Sequence, residues 1–189
     1  MRVIAGRARG RRLAEFKGRD IRPTPDRVRE ALFSILQSKL GSFADLKILD
    51  LFAGSGALAI EALSRGATSA CLVEKSPAAA AVICENLERC QLSTKAEVIV
   101  RDAWQALHGF CASTFDLIFL DPPYDQGSAE RALFELERLS LLTEGGIICV
   151  ETATNESLPE AVGRLQRIDQ RRYGTIMINF YSNPEKELT

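Results

Sequence analysis

The chain has little of what metal centres and nucleophilic triads require. It contains one histidine, His108, and its five cysteines form no Cys-x-x-Cys pair. No zinc-like ligand spacing is therefore present, and the cysteines are expected to be reduced. A serine or cysteine nucleophile would need His108 as its base, but this residue lies away from the acidic strand ends described below. We predict a structural role for His108 and an enzyme that works without a metal.

Long apolar runs are also missing from the sequence. No stretch reaches the roughly 20 residues that a membrane-spanning helix needs, and the opening segment Met1–Arg7 lacks the hydrophobic centre of a signal peptide. We therefore expect a cytoplasmic protein without a membrane partner. With 189 residues and 46% hydrophobic content, the chain is long enough for one sizeable core. This length predicts a single α/β body and, at this size, a monomer.

The charges are distributed unevenly along the chain. Its formal net charge is −1, yet residues 1–30 hold ten lysines and arginines against four acidic residues. That net of +6 leaves −7 for the remainder. A basic amino-terminal arm on an acidic body favours a polyanionic partner, although a solvated charged hairpin is the alternative. The segment is short enough to form a hairpin around residues 6–9, and the arginines expected to contact the partner are Arg2, Arg7, Arg9, Arg11, Arg12 and Arg22.

A glycine loop follows the first predicted buried strand. Lys47–Phe52 has the pattern of that strand, and Ala53–Leu63 has the pattern of a glycine loop entering an amphipathic helix. Glycines let backbone amides approach a ligand, and the helix amino terminus favours a negative or polar group. The Gly-x-Gly-x-x-Ala pattern that begins at Gly54 also fits a dinucleotide fingerprint. Asp50 decides between the cofactors, because its carboxylate suits the cationic amino group of S-adenosylmethionine and would repel a pyrophosphate.

Two further acidic residues follow predicted parallel strands. Glu74 comes after Ser69–Val73, where an acid can accept from ribose hydroxyls, and Asp102 comes after Ala96–Val100, where it can accept from the adenine amino group. Each acid alone is more often a helix cap or a solvated loop residue. Acids on successive strands nevertheless share the ligand-binding edge of an open α/β sheet. The predicted cofactor residues of this edge are Asp50, Phe52, Gly54, Gly56, Glu74, Lys75, Asp102, Ala103 and Asp121.

The tetrapeptide Asp121-Pro122-Pro123-Tyr124 follows the apolar run Phe115–Leu120 and predicts an amine-methylating site. The prolines lack N–H groups and restrict the preceding residues, so the Asp121 and Pro122 carbonyls are left as acceptors. Two acceptors on the two N–H groups of a planar amine would pull its nitrogen towards sp3 and free its lone pair. Tyr124 would hold the flat substrate by stacking, worth ~1–3 kcal/mol per base. The alternative is a rigid turn that ends a strand.

The glycine-loop run Leu49–Gly56 together with the proline tetrapeptide resembles the class I amino-methyltransferases. A closer resemblance, to the RsmD family, covers nearly the whole chain. The segments that carry the closer likeness are Met1–Gly6, Arg22–Phe33 and Arg172–Gly174. The resemblance implies methyl transfer from S-adenosylmethionine, giving S-adenosylhomocysteine, to the 2-amino group of one guanine in small-subunit ribosomal RNA. The implied partner is that RNA, free or in the assembled 30S particle.

The same resemblance implies the fold and the division of the chain. We expect a Rossmann-like class I fold with a seven-stranded, mostly parallel sheet, helices on both faces and a basic amino-terminal hairpin arm. Residues 1–24 would form the RNA-binding arm and residues 25–189 the S-adenosylmethionine-dependent methyltransferase domain. In related enzymes the segment before the first helix closes over the methionine part of the donor, which makes Thr24 a cofactor contact. A plain cap of the helix that opens at Pro25 is the alternative for Thr24.

Four other functions are compatible with some of these features. A DNA adenine or cytosine amine methyltransferase shares both motifs but usually needs a larger sequence-reading region. Protein-glutamine methyltransferases have a similar tetrapeptide, but theirs starts with asparagine, whereas this one starts with Asp121. A dinucleotide-dependent oxidoreductase explains the glycine loop but not the paired prolines. A non-enzymatic RNA-binding assembly factor explains the arm and leaves the acidic edge unused.

Overall fold

The computed structural model describes residues 1–15, 25–123 and 127–183. The chain consists of two compact units, Met1–Ala103 and Trp104–Thr189. Three residues predicted to act in the site lie outside the described residues: Arg22, Thr24 and Tyr124. The predicted division at residue 24 stays a prediction.

The first unit contains three parallel strands joined by helices. The strands lie in the order β3–β2–β1, and both neighbouring pairs are parallel. Its elements are α1 (Asp26–Leu40), β1 (Lys47–Asp50), α2 (Ala57–Ser64), β2 (Ser69–Glu74), α3 (Pro77–Cys90) and β3 (Ala96–Val100), with α4 (Ala103–Leu107) beginning at its last residue. Within the described ranges, no helix is long and apolar enough to span a membrane.

Local sequence explains where these elements begin. The side chain of Ser76 caps α3 by accepting from the Ala79 N–H at 3.3 Å, and Pro77 occupies the first helical position, which suits its fixed φ. Helix α1 begins at Asp26 with Pro25 as its N-cap residue, one residue later than predicted. Pro25 has φ −56° and ψ 145°, an extended conformation that proline favours and that lies outside the helix.

The second unit combines one parallel strand pair with an antiparallel extension. Its strands lie in the order β4–β5–β8–β7–β6, with β4 parallel to β5 and the later pairs antiparallel. The elements are β4 (Phe115–Leu120), α5 (Ser128–Arg138), β5 (Leu142–Ala153), β6 (Ala161–Val162), β7 (Leu165–Tyr173) and β8 (Ile176–Ser182).

The β7–β8 pair is an antiparallel hairpin that turns at Gly174 and Thr175. The predicted number of strands is wrong by one, since the described residues contain eight. The additional strand is β6, whose two residues pair with Leu165 and Gln166 of β7. Two residues are too few to produce a detectable alternation of apolar and polar side chains.

Candidate functional site

The glycine loop of the first unit needs its two glycines for different reasons. Gly54 and Gly56 both have positive φ angles, 54° and 76°, which disfavour residues with a β-carbon. A β-carbon on Gly56 would lie 3.1 Å from Leu72 Cδ2 and 3.2 Å from Ile83 Cγ2, so this glycine lets the loop pack on the core. A β-carbon on Gly54 would meet no atom within 4 Å. The open side at Gly54 is where a ligand can approach the backbone.

Glu74, the last residue of β2, holds this loop. Its Oε2 accepts from the Gly54 N–H at 3.0 Å, and its Oε1 accepts from the Ser76 N–H at 2.8 Å. A carboxylate has about four lone-pair sites, so these two bonds leave capacity for two hydroxyl donors. The geometry gives Glu74 a loop-fixing role in addition to the predicted role of accepting from ribose.

Asp50, the last residue of β1, is a buried acid with a strongly shifted proton affinity. Its side chain is 2% exposed, and Oδ2 accepts from the Ala59 N–H at 3.4 Å. Burial raises the pKa of Asp50 to about 7; the bond from Ala59 opposes this shift, and the charge of Glu74 adds to it. A cation beside a buried carboxylate stabilises the ionised form. The site therefore fits a ligand that brings a positive group.

The remaining predicted cofactor residues of this unit differ in exposure. Phe52 and Asp102 are half-buried, Lys75 is exposed and Ala103 is buried. The strand ends that carry Glu74 and Asp102 are joined through the backbone, since the Arg101 N–H donates to the Glu74 carbonyl at 3.2 Å. The cofactor roles of these four residues stay predictions.

The second unit presents the proline tetrapeptide directly after β4. Leu120, the last residue of β4, pairs with Val150 of β5 in a strand that is almost entirely buried. Asp121 is half-buried, Pro122 is buried and Pro123 is exposed. The buried strand is thus followed by a half-buried carboxylate and two residues without N–H donors, of which only Pro123 is exposed.

The predicted arm forms a hairpin in its described part, residues 1–15. The Val3 N–H donates to the Arg11 carbonyl at 3.0 Å, and the Gly10 N–H donates to the Val3 carbonyl at 2.9 Å. Three apolar residues of the hairpin, Val3, Ala8 and Leu13, are buried. The five described arginines are all exposed: Arg2, Arg7, Arg9, Arg11 and Arg12.

Helix α2 anchors this hairpin through its polar side chains. The carboxylate of Glu61 accepts from the Ile4 N–H at 2.7 Å and from the Ala5 N–H at 3.0 Å. Ser64 Oγ accepts from the Ala8 N–H at 2.9 Å. A β-carbon on Gly6 would lie only 1.9 Å from the Ser64 carbonyl oxygen, so the hairpin approaches the helix where only glycine fits. The described part of the arm is a packed element of the first unit.

The sequence contains a signal for this anchor that our predictions did not use. Glu61 is the one charged residue in the helix Ala57–Ser64, which is otherwise apolar up to its last residue Ser64, and Glu61 is 1% exposed. A buried charge needs partners, and Glu61 has an ion pair with Arg65 at 2.8 Å besides its two backbone bonds. A lone acid on an apolar helix therefore predicts a buried contact, although not the segment that makes it.

Comparison with known sequences identifies the family of this chain. The model of the family described as "Conserved hypothetical protein 95" matches residues 1–182. The chain is 38% identical over 184 residues to YlbH of Bacillus subtilis, covering 96% of this chain and 98% of that protein. It is 36% identical over 159 residues to "Ribosomal RNA small subunit methyltransferase D" of Escherichia coli, covering 84% of this chain and 78% of that protein.

Comparison with solved structures identifies the fold. The structure of yhhF from Escherichia coli has a TM-score of 0.85 at 32% identity and covers 97% of this chain and 98% of that chain. An RNA methyltransferase from Salinibacter ruber in complex with S-adenosyl-L-homocysteine has a TM-score of 0.63 at 16% identity, and covers 87% of this chain and 95% of that chain. The predicted Rossmann-like class I fold is confirmed.

Proposed function

The chain belongs to the RsmD family of S-adenosylmethionine-dependent rRNA methyltransferases, and from that premise we propose that it methylates the exocyclic 2-amino group of a guanine in small-subunit rRNA. The observation that carries the proposal is the placement of Asp121, Pro122 and Pro123 at the end of the buried strand β4. A guanine amine has two N–H donors, and this segment offers the Asp121 and Pro122 oxygens as acceptors.

The loops of the first unit bind the donor in this proposal. S-adenosylmethionine supplies a methyl group that is activated by the positive charge of its sulfonium. Asp50 takes the amino group of the methionine part, which its burial and raised pKa support. Glu74 takes the ribose hydroxyls with the capacity that Gly54 and Ser76 leave, and Asp102 takes the adenine amino group.

The acceptor is held by the second unit in this proposal. The target base leaves its stack, at a cost of a few kcal/mol that is lower in unpaired RNA, and lies on Tyr124. Asp121 and the Pro122 carbonyl accept from the amine, which fixes the nitrogen and exposes its lone pair. Because the methyl group is already activated, proximity and alignment contribute most of the rate. After transfer, the surplus proton leaves to Asp121 or to water.

The basic arm binds the phosphates of the RNA in this proposal. Five exposed arginines on one short hairpin supply the positive charge that RNA binding requires. Their guanidinium groups differ in availability. Arg7 donates to the Gln91 carbonyl at 3.3 Å and Arg11 donates to the Arg89 carbonyl, so both are partly occupied by the end of α3. Arg2, Arg9 and Arg12 are therefore the preferred phosphate contacts. The proposed substrate is small-subunit RNA, bound by a monomer.

The test is transfer of radiolabelled methyl groups from S-adenosylmethionine by the purified protein. Deproteinised small-subunit rRNA, assembled 30S particles and duplex DNA serve as alternative acceptors. Digestion to nucleosides followed by mass spectrometry identifies the modified base. We expect N2-methylguanosine from one of the two ribosomal substrates and no product from DNA.

A matched pair of variants locates the chemistry. Asp121→Ala removes the side-chain acceptor at the end of β4, whereas Asp116→Ala changes an acid on the same strand that accepts from Thr143 Oγ1 at 2.9 Å. We expect turnover to fall about tenfold to hundredfold in the first variant and to stay near normal in the second. N6-methyladenosine or N4-methylcytidine as the product would contradict the guanine assignment, and equal turnover of both variants would remove Asp121 from the mechanism.

A further inference from the structure

Asn86 of α3 joins two segments to which the proposed function assigns different ligands. Its side chain is fully buried. Oδ1 accepts from the Ala14 N–H at 2.7 Å, while Nδ2 donates to the Ala14 carbonyl at 3.0 Å and to the Ser55 carbonyl at 3.0 Å. Ala14 belongs to the basic arm, and Ser55 lies between the two glycines of the cofactor loop. One amide thus fixes backbone atoms of both segments.

Asn86 fixes a residue of the cofactor loop that lies between two glycines. Gly54 and Gly56 are both in the left-handed region, which gives the chain around Ser55 more freedom in the absence of contacts. Glu74 holds the loop on the Gly54 side. Asn86 holds it at the next residue, through the Ser55 carbonyl.

Helix α2 provides a second link between the same two segments. It begins at Ala57, directly after the cofactor loop. Near its end, Ser64 Oγ accepts from the Ala8 N–H at 2.9 Å and donates to the Ala5 carbonyl at 2.6 Å. The turn of the arm hairpin therefore contacts the end of the helix that follows the cofactor loop. Ala14, at the other end of the hairpin, contacts Asn86, which bonds to that loop.

We propose that Asn86 is a positioning residue that couples the arm to the cofactor loop, so that RNA bound at the arm strengthens binding of S-adenosylmethionine at the loop. This inference rests on the proposed function. RNA that contacts the arginines of the arm holds the packed hairpin, and with it Ala14, against Asn86. The Asn86 amide in turn keeps the Ser55 carbonyl in place, so the cofactor has less of the loop left to order when it binds. By linkage, the cofactor strengthens RNA binding by the same factor, and such factors are typically about 5 to 150.

The experiment measures that factor in both directions on the full chain. Calorimetry gives the dissociation constant of S-adenosylhomocysteine with and without saturating small-subunit rRNA fragment, and fluorescence anisotropy gives that of the RNA with and without S-adenosylhomocysteine. For the wild-type protein we expect both constants to fall at least fivefold, by equal factors. For Asn86→Ala we expect each ligand to bind and the factor to fall to about 1.

A buried asparagine elsewhere in the chain provides the matched control. Asn179 is 1% exposed and its side chain bonds to Gln170 and Thr152 in the second unit. Asn179→Ala removes a comparable buried amide but no contact to the arm or the loop. It is expected to keep the wild-type factor, which separates coupling from a general loss of stability.

Ser64→Ala tests the coupling between the arm and the cofactor loop if Asn86→Ala does not fold. This variant loosens the arm without a contact to the cofactor loop, so S-adenosylhomocysteine alone should bind as in the wild type while the factor falls. The coupling is overturned by wild-type affinities that do not depend on the other ligand, or by a folded Asn86→Ala variant with the wild-type factor. A wild-type protein that binds neither ligand would instead contradict the proposed function.

Discussion

Protonation of Asp50 should control how tightly the donor binds. Burial raises the pKa of this residue to about 7, and the proposed partner of its ionised form is the amino group of the methionine part. At pH 5.5 a group with this pKa is about 3% ionised, and at pH 7 roughly half ionised. If only the carboxylate accepts the amino group, affinity should increase roughly fifteenfold between these two pH values. Over this range the α-amino group of the ligand stays mostly cationic.

Calorimetric titration with S-adenosylhomocysteine from pH 5.5 to pH 7 is the assay. It uses two buffers of different ionisation enthalpy at each pH, so that protons released on binding are counted. We expect release of close to one proton per ligand at pH 5.5, falling as the pH approaches 7. Asp50→Asn should bind more weakly and without this pH dependence. Affinity that stays constant across the range, in protein shown by circular dichroism to be folded, would refute the role of Asp50.

The same shift has a consequence for the stability of the unliganded protein. The folded-state pKa of Asp50 lies above the ordinary aspartate value of 3.8, so the folded state binds the proton more tightly than the unfolded state. The contribution of Asp50 to stability is therefore present at low pH and is lost as pH rises from about 4 to about 7. The shift corresponds to a loss on the order of 4 kcal/mol. Urea denaturation of wild-type protein and Asp50→Asn across this range should show the loss in the wild type alone.

Three further predictions concern the amine site, the arm and the loop. Asp121→Ala should lower the rate of methyl transfer by about tenfold to hundredfold, since a hydrogen bond to a charged group contributes ~1.5–3 kcal/mol. An unchanged rate in single-turnover kinetics would contradict this prediction. Arg9→Ala should reduce the slope of log affinity for RNA against log salt by about 0.7–0.9. Arg7→Ala should reduce it by less, because the Arg7 guanidinium also donates to the Gln91 carbonyl. Equal slopes for the two variants in anisotropy titrations would contradict this ranking. Gly56→Ala should lower the free energy of unfolding by about 2–5 kcal/mol, because Gly56 has a positive φ and is tightly packed. Gly54→Ala should lower it by about 1–2 kcal/mol, because only the positive φ opposes a β-carbon there. Denaturant titrations that reverse this order would contradict the loop geometry.

Much of the fold follows from local patterns in the sequence. Apolar runs that end in an acid predict β1, β2 and β4, since buried parallel strands need continuous apolar side chains. The glycines at positions 54 and 56 predict the loop because few other residues adopt its positive φ angles. The family and the class I fold that the motifs indicate are both confirmed.

Contacts between distant positions are what the sequence does not reveal. Glu61 lies 57 positions from Ile4, and Asn86 lies 72 positions from Ala14. Neither spacing leaves a periodic signal, so the basic arm is predicted as a charged segment but not as an element packed on α2 and α3. The burial of Asp50 and its raised pKa depend likewise on the folded loop above it. The roles of the site residues in binding and catalysis stay predictions.

Mapping the modified nucleosides of small-subunit rRNA tests the central claim most directly. The RNA is compared by mass spectrometry between cells with the gene, cells without it, and cells that carry Asp121→Ala instead. We predict that one N2-methylguanosine is lost with the gene, returns with the wild-type copy and does not return with the variant. An unchanged set of modified nucleosides in cells without the gene, or loss of a mark on an adenine or cytosine, would contradict the account.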